Sequence, residues 1–291
     1  MDIGLGTVKE GDTVVLFRSR TNFRVVTVKA GEVCHNGQGL FPHDALIGLP
    51  LGGKAVSQRE QGWMYVLPLT PALYAVVLTH RTQVLYQETI APVLLELDVT
   101  PASVIVESGT GSGCLSAAFG ARLKAGRDAP TGHLFTFEFH AQRKQLAEED
   151  FARLGLGDVV TVVLRDAVRD GFLVDGALAA GSADCVFLDL PNVHEAVGHA
   201  HAVLKPGGRI ACFCPCIEQT QKACDELRRD GRFTALETRE YIFRPYVLRT
   251  HRAPGAGVLC CPCVSVKGHA GYLTFAMKAF PEPAPQMELT E

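Results

Sequence analysis

Short apolar runs alternate with helical stretches from residue 89 onward, and this alternation limits the fold more than any other feature. The runs are rich in β-branched and aromatic residues and lie at 104–106, 133–138, 159–164, 185–189 and 209–213. Strands that are apolar throughout are buried on both faces, and helices between them allow neighbouring strands to run parallel. The pattern therefore predicts a doubly wound α/β domain with a mostly parallel sheet.

Two helices of this domain have clear sequence signals. Apolar residues at 90, 93, 94 and 97 follow helical spacing, with Thr89 placed to cap the start and Pro92 in the first turn. The stretch 140–154 places three apolar residues on one side. Residues 205–208 are expected to form a turn. Strand-like segments at 233–247 and 271–280 are expected to close one sheet edge as a hairpin.

The first seventy residues have a different, all-β pattern. Short β-branched or aromatic runs at 13–17, 23–28 and 62–67 are separated by glycine-containing turn segments. We therefore predict a small β-barrel-like domain over residues 1–75, with 67–78 as its link to an α/β domain over 76–282. The proline-rich segment 283–291 is predicted to be a disordered tail.

Composition excludes several classes of protein. A hydrophobic content of 47% with 20% charged residues supports a folded core, and no apolar run reaches the ~18–20 residues of a membrane helix. The start lacks the pattern of a secretory signal, and we expect no membrane association. We expect the ten cysteines to be reduced, and we predict no metal, because the clusters at 212–216 and 260–263 lack zinc-site spacing.

A glycine-rich loop, ESGTGSG at 107–113, follows the first predicted strand of the α/β domain. In an open parallel sheet, ligands bind outside the carboxyl ends of the strands. Gly109, Gly111 and Gly113 allow positive φ angles and close approach of the backbone to a ligand. A dinucleotide fingerprint would need Gly or Ala where the chain has Cys114. The loop favours a nucleotide-like ligand over the alternative of a merely tight turn.

Carboxylates stand at the ends of three successive predicted strands. Glu107 begins the glycine loop, and Glu138 is placed to accept the hydroxyls of an adenosine ribose. Asp166, followed by Ala167, is suited to the edge of an adenine. A single carboxylate of this kind is usually a turn residue or helix cap, but three together favour a binding cleft. Because the loop carries no Lys or Arg for a pyrophosphate, the cleft favours a cationic adenosine, S-adenosylmethionine.

The fourth predicted strand ends in Asp189, two residues before Pro191. Pro191 stiffens the backbone and biases the residue before it toward an extended conformation. A carboxylate held rigidly at the end of a central strand is well placed for chemistry. The alternative is that Asp189 caps a helix around 194–204.

Several segments together resemble class I methyltransferases: ESGTGSG at 107–113, FEFH at 137–140, RDAV at 165–168, DLP at 189–191 and LKPGGR at 204–209. Four segments more specifically resemble the catalytic-subunit family of eukaryotic tRNA (adenine-N1)-methyltransferases: HRTQVLY at 80–86, ESGTGSG, CPCIEQ at 214–219 and GHAGYLTFA at 268–276. The resemblance extends from about residue 11 to 278. Departures are Cys214 where serine is common, Cys114 after the loop, and an inserted KAGRDAP at 124–130.

The resemblance implies a Rossmann-like methyltransferase domain that uses S-adenosylmethionine to methylate N1 of a T-loop adenosine, position 58, in tRNA. It assigns the cofactor to Gln83, Leu85, Glu107, Gly109, Gly111, Ser112, Gly113, Cys114, Glu138, Arg143, Asp166 and Ala167. Asp189 is implied to be catalytic, meeting both the cofactor and the target adenine. The resemblance also implies a nuclear heterotetramer with a non-catalytic homologous subunit.

Charge bears on the RNA partner, since the chain has 28 Lys and Arg against 31 Asp and Glu, a net charge of −3. Such a balance argues against wrapping nucleic acid unaided, and favours a basic partner subunit. The most basic and aromatic stretch is 239–252, which gives Arg244, Arg249 and Arg252 as RNA-facing candidates. The same arginines are equally suited to an exposed edge strand or a subunit junction.

Three other functions stay open at this point. A methyltransferase acting on another RNA, a small molecule or a protein would share the glycine loop and Glu138, although HRTQVLY and the β-domain count against it. An NAD oxidoreductase is disfavoured by Cys114. A non-catalytic RNA-binding module would not require the carboxylates Glu107, Glu138 and Asp189 together.

Overall fold

The computed structural model describes residues 6–78, 81–125, 132–250, 258–266 and 268–281. Its N-terminal part is a small β-domain. The strands are β1 Thr13–Ser19, β2 Asn22–Thr27, β3 Val33–Asn36, β4 Gly39–Pro42, β5 Lys54–Val56 and β6 Trp63–Pro68. Four of them form an antiparallel sheet in the order β2-β1-β6-β5, and β3 pairs with β4. Val14, Leu16, Met64 and Val66 alternate toward a separate buried core, which confirms the predicted β-domain.

The larger domain alternates helices and strands, as the sequence predicts. Its elements begin with α1 Pro71–Val77, α2 Gln87–Glu96, β7 Val104–Ser108, α3 Cys114–Leu123, β8 His133–Glu138, α4 Ala141–Arg153, β9 Val160–Leu164, α5 Ala167–Asp170 and β10 Ala183–Leu188. They continue with α6 Val197–Val203, β11 Leu204–Cys214, α7 Ile217–Asp230, β12 Phe233–Glu240, β13 Tyr246–Thr250, β14 Val258–Pro262 and β15 Tyr272–Lys278.

Seven of these strands form one sheet in the order β12-β15-β11-β10-β7-β8-β9. The five strands from β11 to β9 run parallel, and β15 and β12 are antiparallel additions at one edge. Helices cover both faces and bury two apolar layers, one around Phe119 and Phe187, the other around Phe172 and Val186. This arrangement confirms the predicted doubly wound sheet, and it places β10 at its centre.

Helix α2 starts earlier than predicted. Its first residue is Gln87, and the extended Tyr86 precedes it as the N-cap residue. The amide of Thr89 already donates to the carbonyl of Tyr86, so Thr89 lies inside the first turn and does not cap it. Pro92 consequently falls in the interior of the helix instead of its first turn. The apolar spacing located the helix, but the missing side-chain cap left no signal for its first residue.

One predicted boundary and two predicted connections also differ from the structure. The predicted domain boundary at residue 75 cuts through α1, whose Tyr74 and Ala75 belong to the core of the larger domain. The predicted turn at 205–208 belongs to β11, because Leu204 already pairs with Ala183 before an irregularity in register. Segments β12 and β15 do close the sheet edge, but they are not a hairpin, since β13 and β14 form a separate two-stranded sheet between them.

All ten cysteine thiols are free. Among the described residues, no group of three His, Cys, Asp or Glu side chains is arranged to hold a metal ion. No helix in the described ranges is long and apolar enough to cross a membrane. The predicted tail at 283–291 lies outside the described residues.

Candidate active site

A cavity of about 440 Å³ opens at the carboxyl ends of β7, β8, β9 and β10. Every residue predicted to bind the cofactor lines it: Gln83, Leu85, Glu107, Gly109, Gly111, Ser112, Gly113, Cys114, Glu138, Arg143, Asp166, Ala167 and Asp189. The structure therefore brings together, at one end of the sheet, residues that are more than a hundred positions apart in the chain. This is the position in which open α/β sheets bind ligands.

The glycine loop crosses the floor of this cavity in a conformation that needs glycine. Gly109, Gly111 and Gly113 have φ angles of +95°, +54° and +79°. A side chain at 109 would also overlap the carbonyl oxygen of Asp189, and a Cβ at 111 would stand 2.7 Å from Thr82 Oγ1. The amide of Gly109 donates to the carbonyl of Phe137 at 3.1 Å, which ties the loop to β8. The cofactor loop thus lies directly against the segment that carries Asp189.

Glu107 is the most buried carboxyl group of the site, with 2% of its surface exposed. Ser116 Oγ donates to its Oε2 over 2.5 Å. Burial raises the pKa of Glu107 to about 7, while hydrogen bonds from Ser116 and Thr136 act in the opposite direction. A carboxyl group in this position binds a proton easily when no positive charge lies beside it, and a neighbouring positive charge would favour its ionised form.

Glu138 lies at the end of β8 and is also buried, with 3% exposed. Its Oε1 accepts from the amide of His140 at 3.0 Å and from Arg143 Nη2 at 2.8 Å. Both of these bonds end on Oε1, so Oε2 is the oxygen open to a ligand hydroxyl. Arg143 lies over the exposed ring of Phe139, 5.1 Å from its centroid. The Glu138 carboxylate is therefore held in a fixed orientation beside the cavity.

Asp166 caps helix α5 and lines the cavity at the same time. Its Oδ1 lies 3.1 Å from the amide of Val168 and 3.3 Å from the amide of Arg169. Asp166 is therefore a helix cap, the alternative role considered for a single carboxylate, and it also lines the cavity. The buried Ala167 follows it at the cavity wall.

Asp189 follows β10, and its amide donates to the carbonyl of Ser108 on β7 at 2.9 Å. Burial raises the pKa of its carboxyl group to about 6. The next helical turn, Val193–Ala196, begins after Asn192 and has no side-chain cap, so Asp189 is not a helix cap. The side chain of Gln219, from the CPCIEQ segment, donates to the carbonyl of Pro191 at 3.1 Å. This bond braces the segment that holds Asp189.

A polar cluster behind the glycine loop escaped the sequence analysis. Arg81 pairs with Asp150 at 2.7 Å and donates to the carbonyl of Ser112 at 3.2 Å. The hydroxyl of Tyr74 lies 3.1 Å from the same carboxylate and 3.3 Å from the same carbonyl. The amides of Arg81 and Thr82 both donate to Ser112 Oγ. Ser112, predicted to bind the cofactor, therefore also fastens the segment that brings Gln83 and Leu85 to the cavity.

Only HRTQVLY gave a sequence signal for this cluster, because it contains Arg81. Tyr74 and Asp150 lie on helices α1 and α4, far from any recognised motif. Their proximity depends on how those helices pack, which a local pattern does not encode.

Of the predicted RNA-facing arginines, only Arg244 is fully described, and it does not line the cavity. Arg244 is exposed in the connection between β12 and β13. The backbone of Arg249 pairs with Leu259 in β14, while its side chain and the whole of Arg252 lie outside the described residues. Arg239, at the start of the same stretch, pairs with Glu96 and Glu237 and is not free to bind phosphate.

Residues 62–259 match the profile of a family described as "tRNA methyltransferase complex GCD14 subunit". The chain belongs to this GCD14 family. Residues 6–53 match a second profile, described as "TrmI-like N-terminal", which covers much of the small β-domain.

Curated relatives of this GCD14 family member include proteins named tRNA (adenine(58)-N(1))-methyltransferase catalytic subunit. The one from Dictyostelium discoideum is 38% identical over 243 residues, covering 83% of this chain and 75% of the relative. The one from Kluyveromyces lactis is 34% identical over 264 residues, covering 84% and 63%. The one from Schizosaccharomyces pombe is 35% identical over 251 residues, covering 84% and 66%. The chain thus spans about two thirds to three quarters of the length of these relatives.

Solved structures confirm the fold. A SAM-dependent O-methyltransferase from Thermotoga maritima superposes with a TM-score of 0.79 at 25% identity, covering 96% of this chain and 97% of the other. The tRNA (m1A58) methyltransferase TrmI from Aquifex aeolicus superposes with a TM-score of 0.72 at 21% identity, covering 94% and 100%. The GCD14 family member therefore has the class I methyltransferase fold with a small N-terminal β-domain.

Proposed function

We propose that this chain transfers the methyl group of S-adenosylmethionine to N1 of adenosine 58 in the T-loop of tRNA, as the catalytic subunit of a complex. The observation that carries the proposal is the intact set of glycines and carboxylates in one cavity of a GCD14 family member. The names of the relatives from Dictyostelium and yeasts support the same substrate and position.

The residues that line the cavity fit S-adenosylmethionine. The glycine loop provides a backbone cradle that a Cβ at 109 or 111 would fill. Glu107 and Asp189 place two acidic groups in the cavity, which suits a ligand with a positively charged sulfonium and amino group. Arg143 Nε is buried without a hydrogen-bond partner among the described residues. Oε2 of Glu138 would accept hydrogen bonds from the ribose hydroxyls, and Asp166 with Ala167 would contact the edge of the adenine.

When bound, S-adenosylmethionine supplies an electrophilic methyl group on sulfur. Adenine N1 already has a lone pair, so the protein need not remove a proton to create the nucleophile, and positioning should dominate. The carboxylate of Asp189 accepts a hydrogen bond from the exocyclic amine of the adenine. It also stabilises the positive charge that develops on the ring. With a pKa of about 6, this group is largely ionised at neutral pH, as that role requires.

The target adenine has to leave its stack to reach the cavity, as bases do in other base-modifying enzymes. The narrow cavity, enclosed by the glycine loop and by Leu190 and Pro191, cannot accept a base within a helix. We infer that the T-loop is opened by a surface larger than the cavity itself. The net charge of −3 argues that a second, more basic subunit supplies part of that surface. We propose a non-catalytic homologous subunit in a heterotetramer, working in the nucleus.

The experiment that tests this function is nucleoside analysis of a tRNA transcript after incubation with S-adenosylmethionine and the chain, alone and with its partner. We expect 1-methyladenosine at position 58 in the complete reaction. A product in another nucleoside, or in a small molecule, would contradict the proposal.

Asp189→Ala is the companion variant. It should abolish methylation, leave the melting temperature nearly unchanged, and reduce cofactor affinity less than turnover, because the carboxylate acts mainly on the adenine. Asp170→Ala, which removes an exposed carboxylate paired with Arg169 outside the cavity, is the matched control. If Asp189→Ala kept more than about a tenth of the wild-type rate at saturating cofactor, the catalytic role would be wrong.

A further inference from the structure

We propose that the outer face of the N-terminal sheet binds the tRNA substrate, with cations on its phosphates and aromatic rings against its bases or sugars. The proposal rests on the proposed function for the identity of the RNA. The surface is the basic-aromatic face, defined by Phe17, Arg18, Arg20, Phe23, Lys54, Trp63 and Tyr65.

The aromatic part of this face follows from strand register. Phe17 pairs with Phe23 on β2 and with Tyr65 on β6, and Tyr65 pairs with Lys54 on β5. Residues that pair directly share a face, so three rings and a lysine form one row across the sheet. Trp63 lies two residues before Tyr65 on the same face, with the two ring centroids 5.0 Å apart. The row is on the side opposite to the buried core of this domain.

Two cations of the face, Arg18 and Lys54, lie against the indole ring of Trp63. The guanidinium carbon of Arg18 lies 3.6 Å from the centroid of the indole, and Lys54 Nζ lies 4.0 Å from it. Each contact is favourable by itself, but two positive charges on one ring repel each other. An anion placed between them would relieve that repulsion, and an RNA phosphate is such an anion.

The cations of this face have no ion-pair partner among the described residues. Arg18, Arg20 and Lys54 are all exposed, and none of them forms an ion pair with a described carboxylate. The arginines of the larger domain behave differently, because most of them, such as Arg81 and Arg143, are paired with carboxylates. Unpaired cations beside half-exposed rings are a typical surface for single-stranded or looped RNA.

Most acidic residues of the small domain lie at the other end of its strands; the exception is Glu60, in the connection that precedes Trp63. Asp12, Glu10 and Asp44 accept hydrogen bonds from turn amides of Lys9, Ala30 and Gly31. Asp12 precedes β1, whereas Arg18 and Arg20 lie at its far end, a separation of roughly 20 Å along an extended strand. The domain is therefore polarised, and its positive end matches a polyanion.

A protein partner is the competing occupant of this face. The positive charges that lie against Trp63 without an ion-pair partner favour RNA, because phosphates supply the opposite charge. The aromatic rings also favour RNA, because rings beside unpaired arginines can stack on any base without sequence preference. Phosphate contacts and stacking would together orient the T-loop toward the cavity.

The test compares two double variants of the full chain, each reconstituted with its partner subunit. Arg20→Ala with Lys54→Ala removes two cations from the basic-aromatic face. Lys9→Ala with Lys29→Ala removes the same charge from the opposite end of the domain. We expect the first variant to raise the KM for tRNA about tenfold and to reduce the slope of log affinity against log salt by about 2. The control should change neither, and kcat and cofactor affinity should stay the same in both.

The chain has one tryptophan, so 5-fluorotryptophan labelling of this subunit gives one ¹⁹F resonance, from Trp63. We expect tRNA to shift or broaden that resonance in the complex. An unchanged KM and salt slope in the first variant, or an unperturbed resonance at saturating tRNA, would overturn the proposal. Loss of partner association with unchanged tRNA binding would also overturn it, by assigning the face to protein. If the wild-type complex bound tRNA through this face without forming 1-methyladenosine, the proposed function would be wrong, but the assignment of the basic-aromatic face to RNA binding would be supported.

Discussion

Replacing Glu107 by glutamine should make the cofactor-free protein more stable above neutral pH. Glu107 is almost fully buried, and its pKa is raised from an ordinary value of about 4.5 to about 7. The folded state therefore holds a proton that the unfolded state releases, so wild-type stability falls as pH rises between these two values. Glutamine has the same shape, still accepts a hydrogen bond from Ser116, and has no charge to bury.

The size of the effect follows from the pKa difference. Each pKa unit corresponds to about 1.4 kcal/mol, so a difference of roughly two and a half units gives about 3 kcal/mol. The advantage of Glu107→Gln over wild type should be near zero at pH 4, grow through pH 5 to 7, and level off by pH 8.

Urea unfolding followed by far-ultraviolet circular dichroism, at one-unit intervals from pH 4 to pH 8, measures this difference directly. The exposed Glu149, which accepts a hydrogen bond from Gln145 on α4, provides the matched control Glu149→Gln. The free energy of unfolding of the control should differ from that of wild type by the same amount at every pH. If the difference between Glu107→Gln and wild type were the same at pH 4 and pH 8, the inference that Glu107 binds a proton in the cofactor-free protein would be wrong.

Three further results are expected. Glu138→Ala should weaken S-adenosylmethionine binding more than tenfold in calorimetry, above about 1.4 kcal/mol, because two ribose hydroxyls lose a charged acceptor; wild-type affinity in the folded variant would remove this assignment. Tyr74→Phe should reduce cofactor affinity about fivefold and leave kcat unchanged, because it removes the hydrogen bond of about 1 kcal/mol from the Tyr74 hydroxyl to the Ser112 carbonyl. A fall in kcat alone would argue against a positioning role for Tyr74. The lone chain should bind S-adenosylmethionine in calorimetry but bind tRNA poorly in gel-shift titrations at physiological salt, and tight binding with full turnover would contradict the need for a partner.

The parallel sheet and the cavity could be predicted from the sequence because both depend on local order along the chain. Each apolar run became a strand, and the residue after each run reached the same edge of the sheet, as the geometry of parallel strands requires. Glu107, Glu138, Asp166 and Asp189 therefore line one cavity, although they are distant in sequence. Their roles in binding and catalysis remain predictions.

What the sequence did not reveal depends on packing between distant segments. The cluster of Tyr74, Arg81 and Asp150 joins two helices and a loop, and no local pattern marks such a meeting. The start of α2 was misplaced because Tyr86 gives the helix no side-chain cap. The basic-aromatic face was also missed, because its rings and cations are spread over four strands and become neighbours only through register.

The contact between Gly109 and the carbonyl of Asp189 has a consequence for how such an enzyme loses activity during evolution. Any other residue at 109 would have to adopt a left-handed conformation and displace the backbone of Asp189. A duplicated copy of the gene could therefore lose cofactor binding and catalysis in one substitution. Its β-domain and sheet would be left intact, so the copy could persist as a folded subunit beside its active sibling.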